Sequence, residues 1–371
     1  MAGLTVAYDA APLLTTRTGI GHYAAALLDG LLAADPQIRF ELFALTRSPN
    51  RPDVPSSPRV SFRHVRIPAR LAVASWERTG RPSGELLVGR ADVVHGTNFW
   101  IPPIRRGNGA VTIHDLTFWI YPELCTAQVQ RYRWIVPRVL KRCSIVFTPS
   151  QTVRIQVAAE FGFPPDRIVV TREGVRRSFP AAAADPSIAR RLGVAGEYVL
   201  FAGTQEPRKN LDRLIQAFAR VPEDVSLVIA GPPGWGSLDL PAFSHHLGLD
   251  RRVVFSGYLP DAELASLMAG ARAFAFPSIY EGFGLPALEA MAAGVPVVAG
   301  RAGALPEVLG DAPFWCDPLS IDSIAAAVSD AVGDDEARAA AIGAGQQQAA
   351  RYSWEECARR TLEGYRMVTE R

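Results

Sequence analysis

The stretch from Ala271 to Gly300 reads ARAFAFPSIYEGFGLPALEAMAAGVPVVAG. Its opening, Ala273–Phe276, is a short apolar run of the kind a buried strand shows. Turn-forming residues follow, among them Pro277, Ser278, Gly282 and Gly284. Pro286 suits the first position of a helix, which the pattern carries to Ala293, and Gly294 suits its C-terminal cap. A second apolar run, Val295–Val298, closes the segment. Strand, loop, helix and strand in this order predict a βαβ unit in a parallel sheet.

The same alternation extends in both directions. Towards the N-terminus, apolar runs at Leu4–Tyr8, Phe40–Leu45, Asp92–His95, Ala110–Ile113 and Ile145–Thr148 read as strands, with helical patterns at Gly21–Ala33 and Gln128–Arg142. A new series starts after residue 195, with strands at Tyr198–Ala202, Leu227–Ala230 and Val253–Phe255 and helices at Asn210–Ala219 and Ala262–Ala269. Two such series predict an α/β chain of two doubly wound, Rossmann-like domains facing across a cleft. The expected division is 1–180, joined by an amphipathic tail helix at 353–371, against 181–352, with the join in the Ala/Pro-rich segment Ser178–Pro186. Ligands of such sheets bind outside the carboxyl ends of the strands, so the cleft is the expected site.

Composition narrows the class. With 371 residues, 48% hydrophobic and 20% charged, the chain is neither disordered nor fibrous. Cys125, Cys143, Cys316 and Cys357 have no paired spacing, which speaks against a disulfide framework or a zinc site. No run reaches the roughly 18 apolar residues of a membrane span. The start, MAGLTVAYD, lacks the features of a signal peptide, so a cytoplasmic protein is expected. Charge is uneven: residues 1–150 hold 18 Lys and Arg against 10 Asp and Glu, although the whole chain is only +2. Arg47, Arg51, Arg59, Arg63, Arg66, Arg70, Arg78, Arg81 and Arg90 supply much of that excess. A basic half attracts anionic surfaces or substrates, or is simply a solvated face. No aromatic-interleaved basic motif supports nucleic-acid binding.

Four motifs carry chemistry. After the first strand, Thr18-Gly19-Ile20-Gly21-His22-Tyr23-Ala24 offers glycines that let backbone N–H groups meet a phosphate at a helix N-terminus. The spelling also fits a dinucleotide fingerprint, with Glu41 twenty residues past Gly21, but that acid stands near the start of its strand rather than the end. His114-Asp115 ends another strand, where a polar pair suits substrate contact or, equally, internal packing. In FAGTQEPRKNL, residues 201–211, Gly203 leads into Arg208 and Lys209 beside a helix N-terminus. Two cations there repel one another and the helix dipole unless an anion neutralises them, which favours a phosphate site. Finally, Glu281 in the loop and Glu289 on the following helix suit the hydroxyls of a sugar and a ribose, since a carboxylate accepts from both hydroxyls of a vicinal diol. Plain complementation of the helix dipole is the other reading of the two glutamates.

Glu281 and Glu289, embedded in SIYEGFGLPALEAMAAGVPVV, together with GTQEPRKNLDRLIQAF, IAGPPGW, FSGYLPDAEL and YSWEECARRTLEGYR, resemble the signature of the retaining nucleotide-sugar glycosyltransferases of family four, which have the GT-B fold. The spelling is most similar to a bacterial mannosyltransferase-like branch. The resemblance implies that Glu289 binds the ribose of a GDP- or UDP-linked donor and that Glu281 holds a hydroxyl of the transferred hexose. It places the backbone of Gly282, Phe283, Gly284 and Leu285 around sugar and phosphate. Arg208 and Lys209, with Gly203 before them, would face the diphosphate, as would Gly19 and Gly21. His114 would touch the sugar near the reacting carbon, and Leu259 would meet the nucleobase. It implies a glycan, lipid-linked or small-molecule acceptor, no metal and no cofactor, and it leaves room for peripheral contact with an anionic membrane. One departure is Thr204, where some members carry a basic residue after the glycine.

Three rivals remain at this level: a nucleotide-sugar epimerase on the same architecture, a pyridoxal phosphate phosphorylase limited to Lys141 or Lys209, and a basic membrane-surface or nucleic-acid scaffold.

Overall fold

The computed structural model describes residues 3–14, 19–46, 51–54, 56–65, 72, 75–76, 81, 83–105, 107–194 and 196–370. Arg47, Arg66, Arg70 and Arg78 of the basic stretch, and Thr18 of the first glycine motif, lie outside them. The chain divides into two compact units. The first comprises residues 1–119, 127–174 and 353–371; the second comprises 120–126 and 175–352.

Each unit is built on one all-parallel sheet. The first holds β1 (Thr5–Asp9), β2 (Arg39–Leu45), β3 (Val60–Val65), β4 (Val93–Gly96), β5 (Asn108–Thr112), β6 (Ile145–Thr148) and β7 (Ile168–Val170), in the order β3-β2-β1-β4-β5-β6-β7. The second holds β8 (Tyr198–Ala202), β9 (Ser226–Ala230), β10 (Val253–Gly257), β11 (Ala273–Phe276), β12 (Val297–Gly300) and β13 (Phe314–Cys316), in the order β10-β9-β8-β11-β12-β13. Both are doubly wound sheets whose order reverses beside the first strand, between β1 and β4 and between β8 and β11. That reversal opens a crevice at the carboxyl ends of the two strands, where a ligand can enter.

The central strands are apolar on both faces because helices cover both. Val199, Leu200, Phe201, Phe274 and Phe276 have no exposed surface. Near Asn210 the helix is Leu211–Phe218, preceded by a single 3-10 turn at Pro207–Lys209. Asn210 turns the corner between them with φ +64°, a conformation its short polar side chain tolerates.

The tail helix, Trp354–Thr369, belongs to the first unit. Ser353 caps it by accepting from Glu356 N–H at 3.1 Å. Small residues let it lie close: a Cβ on Gly30 would meet Ala358 Cβ at 2.8 Å, and one on Gly364 would meet the Phe147 ring at 2.5 Å. Polar groups then fix its register. Tyr365 OH lies 2.6 Å from His95 Nδ1, His95 Nε2 lies 2.9 Å from Thr112 Oγ1, and Tyr23 OH lies 2.9 Å from the same oxygen. Burial pushes the His95 imidazole down to about 3, so it stays neutral, with one ring nitrogen donating and the other accepting.

Several details differ from the sequence-based expectation. β3, β7 and β13 were not anticipated, and β3 and β13 are only partly buried. The expected helix Gln128–Arg142 is two pieces, Ala127–Gln130 and Tyr132–Leu140, with Pro137 inside the second. The helix expected from Gly21 already starts at Gly19, within Gly19–Ala34, with Gly21 buried. Pro286 is the second residue of its helix, Leu285–Ala292.

Candidate active site

In the second unit, the loop after β8 and the loop after β11 stand on either side of the sheet reversal. Backbone bonds tie them together: Ile279 N–H donates to Arg208 O at 2.8 Å, and Asn210 Nδ2 donates to Pro277 O at 3.0 Å. Gly231, just after β9, lets the first loop pass tightly over that strand's end, since a Cβ there would fall 2.0 Å from Gly203 O; Gly203 itself has φ +149°.

These constraints bring three sequence-predicted residues into one cluster. Lys209 Nζ donates to Glu281 Oε1 at 2.6 Å, and Arg208 Nη1 lies 2.6 Å from Glu281 Oε2. Arg208 also donates to Glu206 Oε2 at 2.9 Å and to Tyr280 O at 3.2 Å. The Lys209 ammonium sits 4.5 Å from the centre of the Phe276 ring, a cation–π contact. Glu281 and Lys209 are each 6% exposed, deep enough that an unpaired charge there would be costly. Burial acts to raise the Glu281 carboxyl, but Arg208 and Lys209 outweigh it and hold it at about 2. Burial and the Arg208 charge lower the Lys209 ammonium against the opposing pull of Glu281.

The cluster amends the electrostatic argument from the sequence. The anion that neutralises Arg208 and Lys209 in the protein itself is Glu281, with Glu206 beside it. An ammonium has three donors, and Glu281 takes one from Lys209. The pair can therefore face a phosphate while staying anchored.

Glu281 leads into Gly282, Phe283, Gly284 and Leu285, all buried. Phe283 packs edge-on against Tyr352 at 5.6 Å. Gly284 has φ +97°, and a Cβ there would meet Leu305 Cδ2 at 2.4 Å, so the turn requires glycine. The helix Leu285–Ala292 that it opens has no side-chain cap, which leaves the positive end of the helix dipole for a ligand anion.

Glu289 is 1% exposed, one turn into this helix. Both its oxygens accept from Arg176, Oε1 from Nε at 2.6 Å and Oε2 from Nη2 at 2.8 Å. Arg176 Nη1 reaches Asp261 Oδ1 at 3.0 Å, and its guanidinium lies 4.5 Å from the Phe179 ring centre. Burial raises the Glu289 carboxyl despite Arg176. Leu259 is half-buried in the loop after β10, two residues before Asp261.

In the first unit, His114 follows β5 and is held from several sides. Its Nε2 lies 2.8 Å from Thr97 O, Nδ1 lies 3.7 Å from Glu173 Oε1, and the Tyr23 ring meets it edge-on at 4.8 Å. A carbonyl only accepts, so Nε2 carries a proton and donates. Gly19 begins the helix Gly19–Ala34, and a Cβ there would meet no atom within 4 Å.

Arg176, Glu173, Glu206, Asp261 and Phe276 are partners that reading the sequence missed. Arg176 and Glu173 fall in REGVRRSF, a charged stretch without periodicity or motif spacing, and only the fold shows which charges are buried. Among the described residues no group of three or more His, Cys, Asp or Glu is gathered to hold a metal.

The family model for glycosyl transferases group 1 matches residues 190–348, and that for the glycosyl transferase 4-like domain matches residues 18–174. O-antigen chain mannosyltransferase B of Escherichia coli is 34% identical over 284 residues, covering 74% of each chain. Sucrose-phosphate synthase from Thermosynechococcus elongatus has the same fold, with TM-score 0.79 at 19% identity over 99% of both chains. HepE from Anabaena, solved in complex with UDP-glucose, has TM-score 0.73 at 19% identity, covering 97% of this chain and 99% of that one. The chain belongs to the family-four glycosyltransferases and is a glycosyltransferase with the two Rossmann-like units of the GT-B fold.

Proposed function

We propose that the protein moves a hexose, of mannose or glucose type, from a GDP- or UDP-linked donor to a hydroxyl of a glycan or lipid-linked acceptor, retaining the anomeric configuration. The observation that carries this reading is the Arg208–Lys209–Glu281 cluster, set at the sheet reversal beside an uncapped helix N-terminus. Support for the donor class comes from the mannosyltransferase name of the E. coli relative and from the UDP-glucose held by HepE.

In this reading the anomeric C–O bond breaks, the bonding pair leaves with the diphosphate, and the sugar becomes oxocarbenium-like. Arg208, Lys209 and the N-terminal amides of Leu285–Ala292 are fixed before the charge develops, so they stabilise the leaving group without reorganising. The acceptor oxygen attacks the face that the diphosphate has left, and the leaving phosphate takes its proton. Glu281, ionised and fixed by two cations, holds a hydroxyl of the sugar, and Glu289 meets the ribose. Gly19, Gly21, Gly203, Leu259 and His114 keep the donor contacts that the family resemblance implies.

The placed cations supply the charge that a divalent ion would bring, so transfer proceeds without metal and without a cofactor. We place the enzyme in the cytoplasm with peripheral contact at an anionic membrane face. The basic first 150 residues and the 68% exposed Trp134 support that contact.

A thermal-shift screen of nucleoside diphosphates and their sugars tests the donor. A ligand at a hundredfold excess over its Kd stabilises by about 2.7 kcal/mol. A rise in Tm with GDP or UDP compounds supports the reading; none with any nucleotide contradicts it.

A further inference from the structure

Among the described residues, two that are not glycine have positive φ, Asn210 and Phe99. The short polar side chain of asparagine tolerates that region, but an aromatic one has no such help. Phe99, at φ +63°, therefore holds a strained backbone conformation. It lies three residues past β4, beside the reversal of the first sheet, and is 7% exposed. Strain of this kind persists only where the surroundings fix it, and it collects at functional sites.

Three hydrogen bonds fix the turn. Thr97 Oγ1 donates to Asp9 O at 3.0 Å, at the end of β1. Phe99 N–H donates to Thr112 O at 3.0 Å, at the end of β5. His114 Nε2 donates to Thr97 O at 2.8 Å. The Phe99 ring then meets the His114 ring edge-on at 5.7 Å between centres, and the Tyr23 ring meets it at 4.8 Å. One short turn thus gives His114 both a carbonyl for its Nε2–H and an aromatic edge for its ring. Core filling alone does not call for this: Phe99 also packs on Phe118 and Tyr132, at 5.6 and 4.9 Å, and an apolar side chain does that without left-handed backbone. A turn needed only for its shape would be held with less strain by glycine or asparagine.

We propose that Phe99 is a positioning residue for His114. Its strained turn fixes the tautomer and the plane of the imidazole before any donor arrives, with the Nε2 proton kept inside the protein. Phe99 touches no reacting atom and acts through His114 alone. Only the effect on turnover rests on the glycosyl-transfer reading; the placement of the ring is testable by itself.

The test compares the full chain with Phe99→Gly, Phe99→Ala and Phe99→Leu. Phe99→Leu keeps buried bulk and decides the case if the two smaller variants fail to fold. Nitrogen-15 spectra of the histidine side chains, with the His114 signals assigned by their loss in His114→Gln, should show a protonated Nε2 in wild type. In each folded Phe99 variant those signals should move towards a mixture of tautomers. Phe99→Gly should melt above Phe99→Ala, because glycine relieves the left-handed strain. Release of nucleoside diphosphate from GDP-mannose or UDP-glucose should lose roughly tenfold or more in kcat, with the donor KM unchanged. Wild-type His114 signals in a folded variant, Phe99→Ala melting at or above Phe99→Gly, or a loss of Tm with kcat intact would each overturn the proposal. If wild type turns over neither donor, that counts against the glycosyl-transfer reading, and the His114 signals still decide this inference.

Discussion

Lys209 Nζ and Glu281 Oε1 meet at 2.6 Å across the reversal of the second sheet, bridging the loop after β8 and the loop after β11. Arg208 closes the other side of the same carboxylate. This contact does two jobs. It ties the two loops together, and it holds two cations in place while using one of the three Lys209 donors.

Removing one charge from such a cluster strands the others. Glu281→Gln should cost about 3–5 kcal/mol, the range for breaking a buried ion pair. Adding Lys209→Met to that variant should recover part of the loss, because the stranded ammonium goes too. Urea unfolding of the two single variants and the double variant measures the coupling. Strictly additive costs would show that the contact carries no interaction energy.

The same pair sets a pH dependence. The Glu281 carboxyl is held at about 2 against an ordinary value of 4.5. A folded value below the unfolded one gives stability that is full above the unfolded value and lost as pH falls through the folded one. The stability gap between wild type and Glu281→Gln should therefore narrow from pH about 5 downwards. A gap that stays constant down to pH about 3 would contradict the assignment.

Asp9 behaves in the opposite sense. It ends β1, is 1% exposed, and its Oδ1 accepts from Ala11 N–H at 3.0 Å. Burial pushes its carboxyl from 3.8 up to about 7. The folded value is now the higher one, so its contribution is full below pH about 4 and lost as pH rises to about 7. Asp9→Asn keeps the acceptor atom and removes the charge. It should melt at a higher temperature than wild type at pH about 8, with the gap closing towards pH about 4. No gain in Tm at the higher pH would show that Asp9 is solvated or paired.

Arg176 and Glu289 form the bidentate contact that preorganises the proposed ribose carboxylate. Arg176→Lys retains the charge but loses the fork, and it should still cost stability for that reason. Glu289→Ala should weaken nucleoside diphosphate binding by about 1.5–3 kcal/mol. It should also erase the preference for ribose over 2′-deoxyribose. If calorimetry finds that preference intact in the folded variant, Glu289 does not contact the ribose.

The fold was readable because the central strands are short, mostly apolar runs; Ile145–Thr148, Tyr198–Ala202 and Ala273–Phe276 were placed at their observed ends. The edge strand Val60–Val65 escaped because it alternates half-buried with exposed residues before the buried Val65, and it carries Arg63 and His64. Gln128–Arg142 looked like one helix since the face of Gln128, Arg131, Ile135, Arg138 and Arg142 keeps its three-and-four spacing across the break at Arg131, which the side-chain period cannot reveal. Arg208, Lys209, Glu281 and Glu289 stood out by motif spacing. Arg176 did not, because it lies 113 residues from Glu289 in the chain and meets it only through the fold. The polar network of His95, Thr112, Tyr23 and Tyr365 was equally invisible, as its members lie far apart in sequence.

The central claim is that the Arg208–Lys209–Glu281 cluster binds the diphosphate of the donor. It is tested most directly by calorimetric titration of GDP and UDP, with guanosine and uridine as controls, into wild type and Lys209→Met in excess chelator. The account predicts metal-free binding of a nucleoside diphosphate to wild type and a loss of at least tenfold, about 1.4 kcal/mol, in the variant. The matching nucleoside should bind both proteins alike. Undiminished diphosphate affinity in a folded Lys209→Met protein, or binding that appears only when magnesium or manganese is restored, would contradict it.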